Sequence, residues 1–108
     1  MSEPTRLFFD IESSDLNADW GVVLCIGYRL GKGKLLVPTL HDFSPRDVLD
    51  DRGLLKFFAN EVWPKADIVI GHYSTRFDLP FINSRLLYHG LDPLAPVHHI
   101  RGVSPSTR

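Results

Sequence analysis

The chain of 108 residues predicts an α/β layer in which a strand reached through a helix lies parallel to the first strand. Three observations carry that expectation. A period-two segment opens the chain, a segment of helical period occupies its middle, and a short continuous apolar run leads into a second helical segment. The length is close to the modal size of one domain, so one core is expected over residues 1–100, with an irregular tail over 101–108.

In chain order, Leu7, Phe9 and Ile11 alternate with Phe8, Asp10 and Glu12, which is the period of a strand. Trp20 to Leu30 is rich in strand formers and ends at Gly31-Lys32-Gly33, a turn signal. Lys34 to Val37 then reads as a third short strand. Ser44-Pro45-Arg46-Asp47 resembles a helix start, although Gly53 leaves the true start open; Leu54, Leu55, Phe58 and Val62 recur at helical spacing until Trp63-Pro64 stops them. Asp67 to Gly71 has the pattern of a short buried strand. A helix from about Asp78 to His89 follows, with Phe81, Ile82, Leu86 and Leu87 on its apolar side and Gly90 as C-cap. The expected order is β, β, β, α, β, α. Beyond Gly90 the pattern decays, with Pro93 and Pro96 close together and a polar end.

Composition excludes several classes. Hydrophobic residues make up 44% and charged residues 23%, ordinary for a globular domain and unlike a disordered chain. The net charge of -1 provides no global positive field of the kind a DNA-coating protein carries. No segment reaches the length of a membrane span, and the start lacks the order of a signal peptide. Cys25, the single cysteine, lies in an apolar run and cannot form an internal disulfide. These features predict a cytoplasmic protein.

Acidic residues gather early: Glu3, Asp10, Glu12, Asp15 and Asp19 stand against Arg6 alone in the first twenty positions. Asp10 and Glu12, one residue apart on a strand, project from the same face. Two carboxylates that close repel unless a proton or cation neutralises them, and hard divalent metals favour oxygen ligands. The same spacing also describes a plain polar strand face. Asp78 follows the second apolar strand, and its position before Pro80 equally suits a helix N-cap. If the strands ending at Glu12 and Gly71 are parallel neighbours, their exits lie together, where open α/β sheets place their sites.

Taken together, Asp10-Ile11-Glu12 and Phe77-Asp78-Leu79-Pro80-Phe81 resemble the first two exonuclease motifs of the DEDD superfamily of 3'-5' exonucleases, and in particular the proofreading domain of family-B DNA polymerases. The chain is similar to a bacterial and viral group of ribonuclease H-like exonucleases related to that domain. The resemblance extends through Asp19-Trp20-Gly21, Ile26-Gly27-Tyr28 and Arg85 to Leu91, nearly to Ile100. It implies a ribonuclease H-like mixed sheet with flanking helices and a pair of divalent ions, Mg2+ or Mn2+, for in-line cleavage of phosphodiesters. It further implies that Asp10 bridges both ions, that Glu12 holds the nucleophile-side ion and that Asp78 contributes to the second. The partner would be nucleic acid, as single-stranded 3' ends.

Phe77 and Phe81 are candidates to stack on a terminal base and Arg76 to meet a phosphate; packing for the phenylalanines and solvation for the arginine are the alternatives. Arg85 reads as helix decoration. His98-His99 reads as solvated, since adjacent histidines do not converge easily on one ion. The superfamily's fourth carboxylate lies in a third motif on a C-terminal helix, which Arg101 to Arg108 does not resemble, and Asp92 sits in a turn unlike that motif. The expectation is a domain lacking the last strand and helix, with activity weakened or lost. Tyr73 stands where related sequences have Asn. A non-catalytic module binding nucleic acid or protein on the same fold is the alternative function, and an internally cutting ribonuclease H-like nuclease is a third.

Overall fold

Strand β1 (Arg6–Ser13) forms where the sequence alternates: Leu7, Phe9 and Ile11 are buried, while Asp10 and Glu12 are exposed on the other face. The structure, a computed structural model, describes residues 3–15, 17–18, 20–71 and 74–101, the side chains of 71, 74–76 and 98–101 excepted. β1 pairs antiparallel with β2 (Val23–Leu30) and parallel with β3 (Ile68–Gly71), which pairs parallel with β4 (His98–Arg101). The result is a mixed sheet of four strands in the order β2-β1-β3-β4. The parallel relation between the first strand and the strand after the helix is therefore as expected.

The segment after β2 departs from expectation. Gly31, with a φ of 57°, turns the chain, but Lys34 to Val37 is not a full strand. It meets β2 through bridges at Tyr28–Leu36 and Cys25–Thr39, with Tyr28 and Leu36 exchanging backbone hydrogen bonds of 2.8 and 2.9 Å. Pro38 has no N–H with which to extend the ladder. A single turn, α1 (Leu40–Phe43), comes next. Thr39 caps it reciprocally: its hydroxyl accepts from the Asp42 amide at 3.2 Å, and the Asp42 carboxylate accepts from the Thr39 amide at 2.8 Å.

The middle helix, α2 (Arg52–Phe57), starts later than Ser44-Pro45 suggests. Turns built on Asp47 and Asp50, whose carboxylates accept from the Leu49 and Arg52 amides, occupy the preceding residues. Its apolar period holds, with Leu54, Leu55, Phe58 and Val62 all buried. The coil widens to a π-turn over Phe58–Val62 and tightens to a 3-10 turn over Trp63–Lys65, where Pro64 ends it. Phe9, Phe58 and Trp63 form the centre of the core, with ring centroids 5.4 to 6.2 Å apart.

Helix α3 (Ser74–Tyr88) begins a turn earlier than the sequence suggests. Asp78 is consequently inside the helix and is not its N-cap. At the other end Gly90 has a φ of 75°, its amide donates to Leu87 at 3.0 Å, and the Leu91 amide donates to Leu86 at 2.9 Å. That pair of bonds is a Schellman termination, and the positive φ is what demands glycine. Gly90→Ala is expected to lower stability by about 1 kcal/mol, seen as a melting temperature lower by roughly 4–8 °C.

Arg85 is corrected by the structure: it is 4% exposed and forms a two-pronged ion pair with the fully buried Asp51. Its Nε and Nη2 donate to the two Asp51 oxygens at 3.0 and 2.9 Å, and His89 Nε2 meets Asp51 Oδ1 at 2.6 Å. This network ties the start of α2 to the last turn of α3 and, through the Val23 amide on Asp51 Oδ2 at 2.9 Å, to β2. Strand β4 is a further departure from expectation, and it continues through Arg101, the first residue assigned to the tail. Residues 102–108 lie outside the described residues.

Candidate metal centre

The exits of β1 and β3 lie at the same end of the sheet, because the strands run parallel with Phe8 opposite Ile70. Just past Glu12 the β1–β2 register shifts: Glu12 faces Cys25, whereas Ser13 faces Val23. This bulge bends the chain away at the point where the carboxylates project.

Asp10 and Glu12 are exposed and share one face of β1, as their spacing predicts. Asp78, 5% exposed, reaches them from α3: its Oδ2 accepts a hydrogen bond from the Ile11 amide at 3.1 Å. Ile11 lies between Asp10 and Glu12, so the third carboxylate is anchored at the backbone of the first two. Among the described residues, however, no group of three or more His, Cys, Asp or Glu side chains is gathered tightly enough to form a ready-made cation cage. The three carboxylates are neighbours without being converged.

The donor chemistry around them is all oxygen apart from Cys25, across from Glu12. Burial pushes the Cys25 thiol up, and the negative charges of Glu12 and Asp10 add to the effect against a backbone hydrogen bond that lowers it. The thiol form is thus favoured, which suits a hard cation at the carboxylates better than a soft one. Beside Asp10 a shallow groove of about 350 Å³ is lined by Phe8, Phe9, Gly27, Leu35 and Val37.

The remaining candidates separate. Phe81 is 3% exposed in the core with its ring 5.4 Å from Phe77, so packing describes it; Phe77 is half-buried at the edge. Arg76 belongs to α3, but its side chain, with His72, Tyr73 and the side chains of His98 and His99, lies outside the described residues. Lys32 and Lys34 are exposed at the turn, as expected. Sequence reasoning missed Trp20, which is 80% exposed in the loop leaving β1 at the carboxylate end. An aromatic exposed to that degree beside a cluster of acids was the available signal.

Comparison with known proteins agrees with this architecture. The chain is 28% identical over 116 residues to the large catalytic chain of DNA polymerase epsilon from Schizosaccharomyces pombe, a match covering 84% of this chain and 5% of that protein. Among solved structures, the family B DNA polymerase from the hyperthermophilic archaeon Pyrobaculum calidifontis superimposes with a TM-score of 0.68 at 22% identity, covering 83% of this chain and 12% of that one. This chain therefore spans a small fraction of either relative, and the structural likeness speaks to the fold. Residues 7–102, from the first buried leucine of β1 to just past β4, match a family model of the RNase_H superfamily, and the chain belongs to that superfamily.

Proposed function

We propose that this domain is a metal-dependent 3'-5' exonuclease that hydrolyses phosphodiester bonds at single-stranded nucleic-acid 3' ends, working in the cytoplasm. Membership of the RNase_H superfamily supports a nuclease in general. The observation that carries the finer reading is the hydrogen bond from the Ile11 amide to Asp78, which holds a third carboxylate against the Asp10-Ile11-Glu12 strand.

The donor set fits Mg2+ or Mn2+: two exposed carboxylates on one strand face, a third fixed beside them, and oxygen throughout. Bound there, such ions supply Lewis acidity, lowering the pKa of an attacking water and neutralising charge on the leaving oxygen. Asp10 and Glu12 are the ligands that rotate inward, since both are exposed. Asp78 is the fixed ligand, its rotamer set by the backbone bond to Ile11. Phe77 offers a ring to the terminal base with Phe81 behind it as packing, Trp20 offers a second exposed face, and Arg76 is the phosphate contact.

Incubation of the purified domain with Mg2+ or Mn2+ and a 5'-labelled single strand is expected to give a ladder shortening from the 3' end, while a circular single strand stays intact. Asp10→Ala is expected to slow cleavage at least about a hundredfold. Equal rates for the wild type and Asp10→Ala would overturn the proposal and leave a non-catalytic module.

A further inference from the structure

The helices cover one face of the sheet. α2 and α3 pack on the side of Leu7, Phe9 and Ile11, and no described element covers the side of Phe8, Asp10 and Glu12. Register sets the rest of that open face: Arg29 lies opposite Phe8, Gly27 opposite Asp10, Cys25 opposite Glu12 on β2, and Ile70 beside Phe8 on β3. Phe8 and Ile70 are half-buried, and Leu35 and Val37, which wall the groove next to Asp10, are 68% and 52% exposed. Sheets with parallel strands ordinarily bury both faces, so an apolar strip like this one calls for a cover.

Charge specifies the cover. At one end of the strip stand Arg6 and Arg29, both exposed, with Lys32 and Lys34 in the adjoining turn; Asp67, at the same end, is taken up by the Thr5 amide at 2.7 Å. At the other end stand Asp10 and Glu12. From Arg6 to Glu12 is about 20 Å along the strand. A surface that is basic at one end, apolar in the middle and acidic at the other is complementary to itself when turned through a half-rotation. The net charge of -1 adds little repulsion between copies.

We propose that the open sheet face pairs with its counterpart on a second copy of this chain about a two-fold axis, setting Arg29 of each copy against Asp10 and Glu12 of the other. The apolar strips around Phe8, Leu35 and Val37 close together between the charged ends. Asp10 and Glu12 then face arginines, so this dimer is a form in which the carboxylates are masked.

Sedimentation velocity of the full chain, read across a wide concentration range, tests the pairing independently of any nuclease activity. Wild type is expected to dimerise. Arg29→Glu and Glu12→Arg are each expected to sediment as monomers with unchanged circular dichroism, because each sets like charges face to face. Mixed in equal amounts, the two variants are expected to regain the dimer, since the introduced glutamate of one copy then meets the introduced arginine of the other. Leu35→Glu, at a position too exposed to disturb the fold, is expected to be monomeric alone. A monomeric wild type, charge variants that dimerise like wild type through the edge of β4, or a mixture that stays monomeric would each overturn the proposal.

Discussion

Asp51→Ala is expected to leave the domain largely unfolded. The carboxylate is fully buried and accepts four hydrogen bonds, from the Val23 amide, Arg85 Nε, Arg85 Nη2 and His89 Nε2. Its removal leaves the Arg85 guanidinium, 4% exposed, as a buried charge whose contacts are the Ala18 carbonyl at 3.4 Å and the Tyr88 ring. Breaking one side of a buried pair costs about 3–5 kcal/mol, against total stabilities of roughly 5–15 kcal/mol for domains. Urea denaturation followed by circular dichroism gives the difference. The double variant Asp51→Leu with Arg85→Met is expected to be less destabilised than Asp51→Leu, because it removes both charges together and leaves neither uncompensated.

The same network sets an acid limit. Burial by itself pushes the Asp51 carboxyl up, but hydrogen bonds from Arg85, the Val23 amide and His89, with the charge of Arg85, outweigh it and hold the group below its ordinary value of 3.8. A folded-state pKa below the unfolded one means that the contribution is fully present above the unfolded value. It is lost as pH falls through the folded one. Stability is therefore expected to drop as pH falls below about 4, and the folded Asp51→Leu, Arg85→Met variant is expected to show a shallower acid slope.

What the sequence made legible was what obeys a local period. β1 and its two carboxylates follow from alternation alone, and the Leu54 to Val62 stripe follows from helical spacing even though the coil widens there to a π-turn. The Asp51–Arg85 pair was not legible because its partners are 34 positions apart, and Asp51 stands in a run of charges that reads as solvated surface. β4 was hidden for a related reason. Its residues have no apolar alternation, and their strand conformation comes from main-chain pairing with β3 over Ile68 to Gly71. Asp78 was legible as a residue type but not in its setting: the N-cap reading needed the helix to begin there, and α3 starts at Ser74.

That setting allows the structural and chemical roles of Asp78 to be separated by two substitutions. Asparagine keeps a side-chain oxygen of nearly the same reach, so Asp78→Asn is expected to retain the bond to the Ile11 amide and to fold within about 1 kcal/mol of wild type. Alanine removes the acceptor. Asp78→Ala leaves the amide of a buried residue unpaired and is expected to cost about 1–3 kcal/mol in a urea titration. Cation affinity divides the pair differently: both variants lose the negative charge, and both are expected to bind Mn2+ at least about tenfold more weakly, read by calorimetry or by Mn2+ relaxation. An Asp78→Asn protein that folds like wild type and binds Mn2+ equally well would assign Asp78 to tethering α3 onto β1. A folded Asp78→Asn protein with weakened binding would assign its charge to the metal, because the tether in that variant is intact.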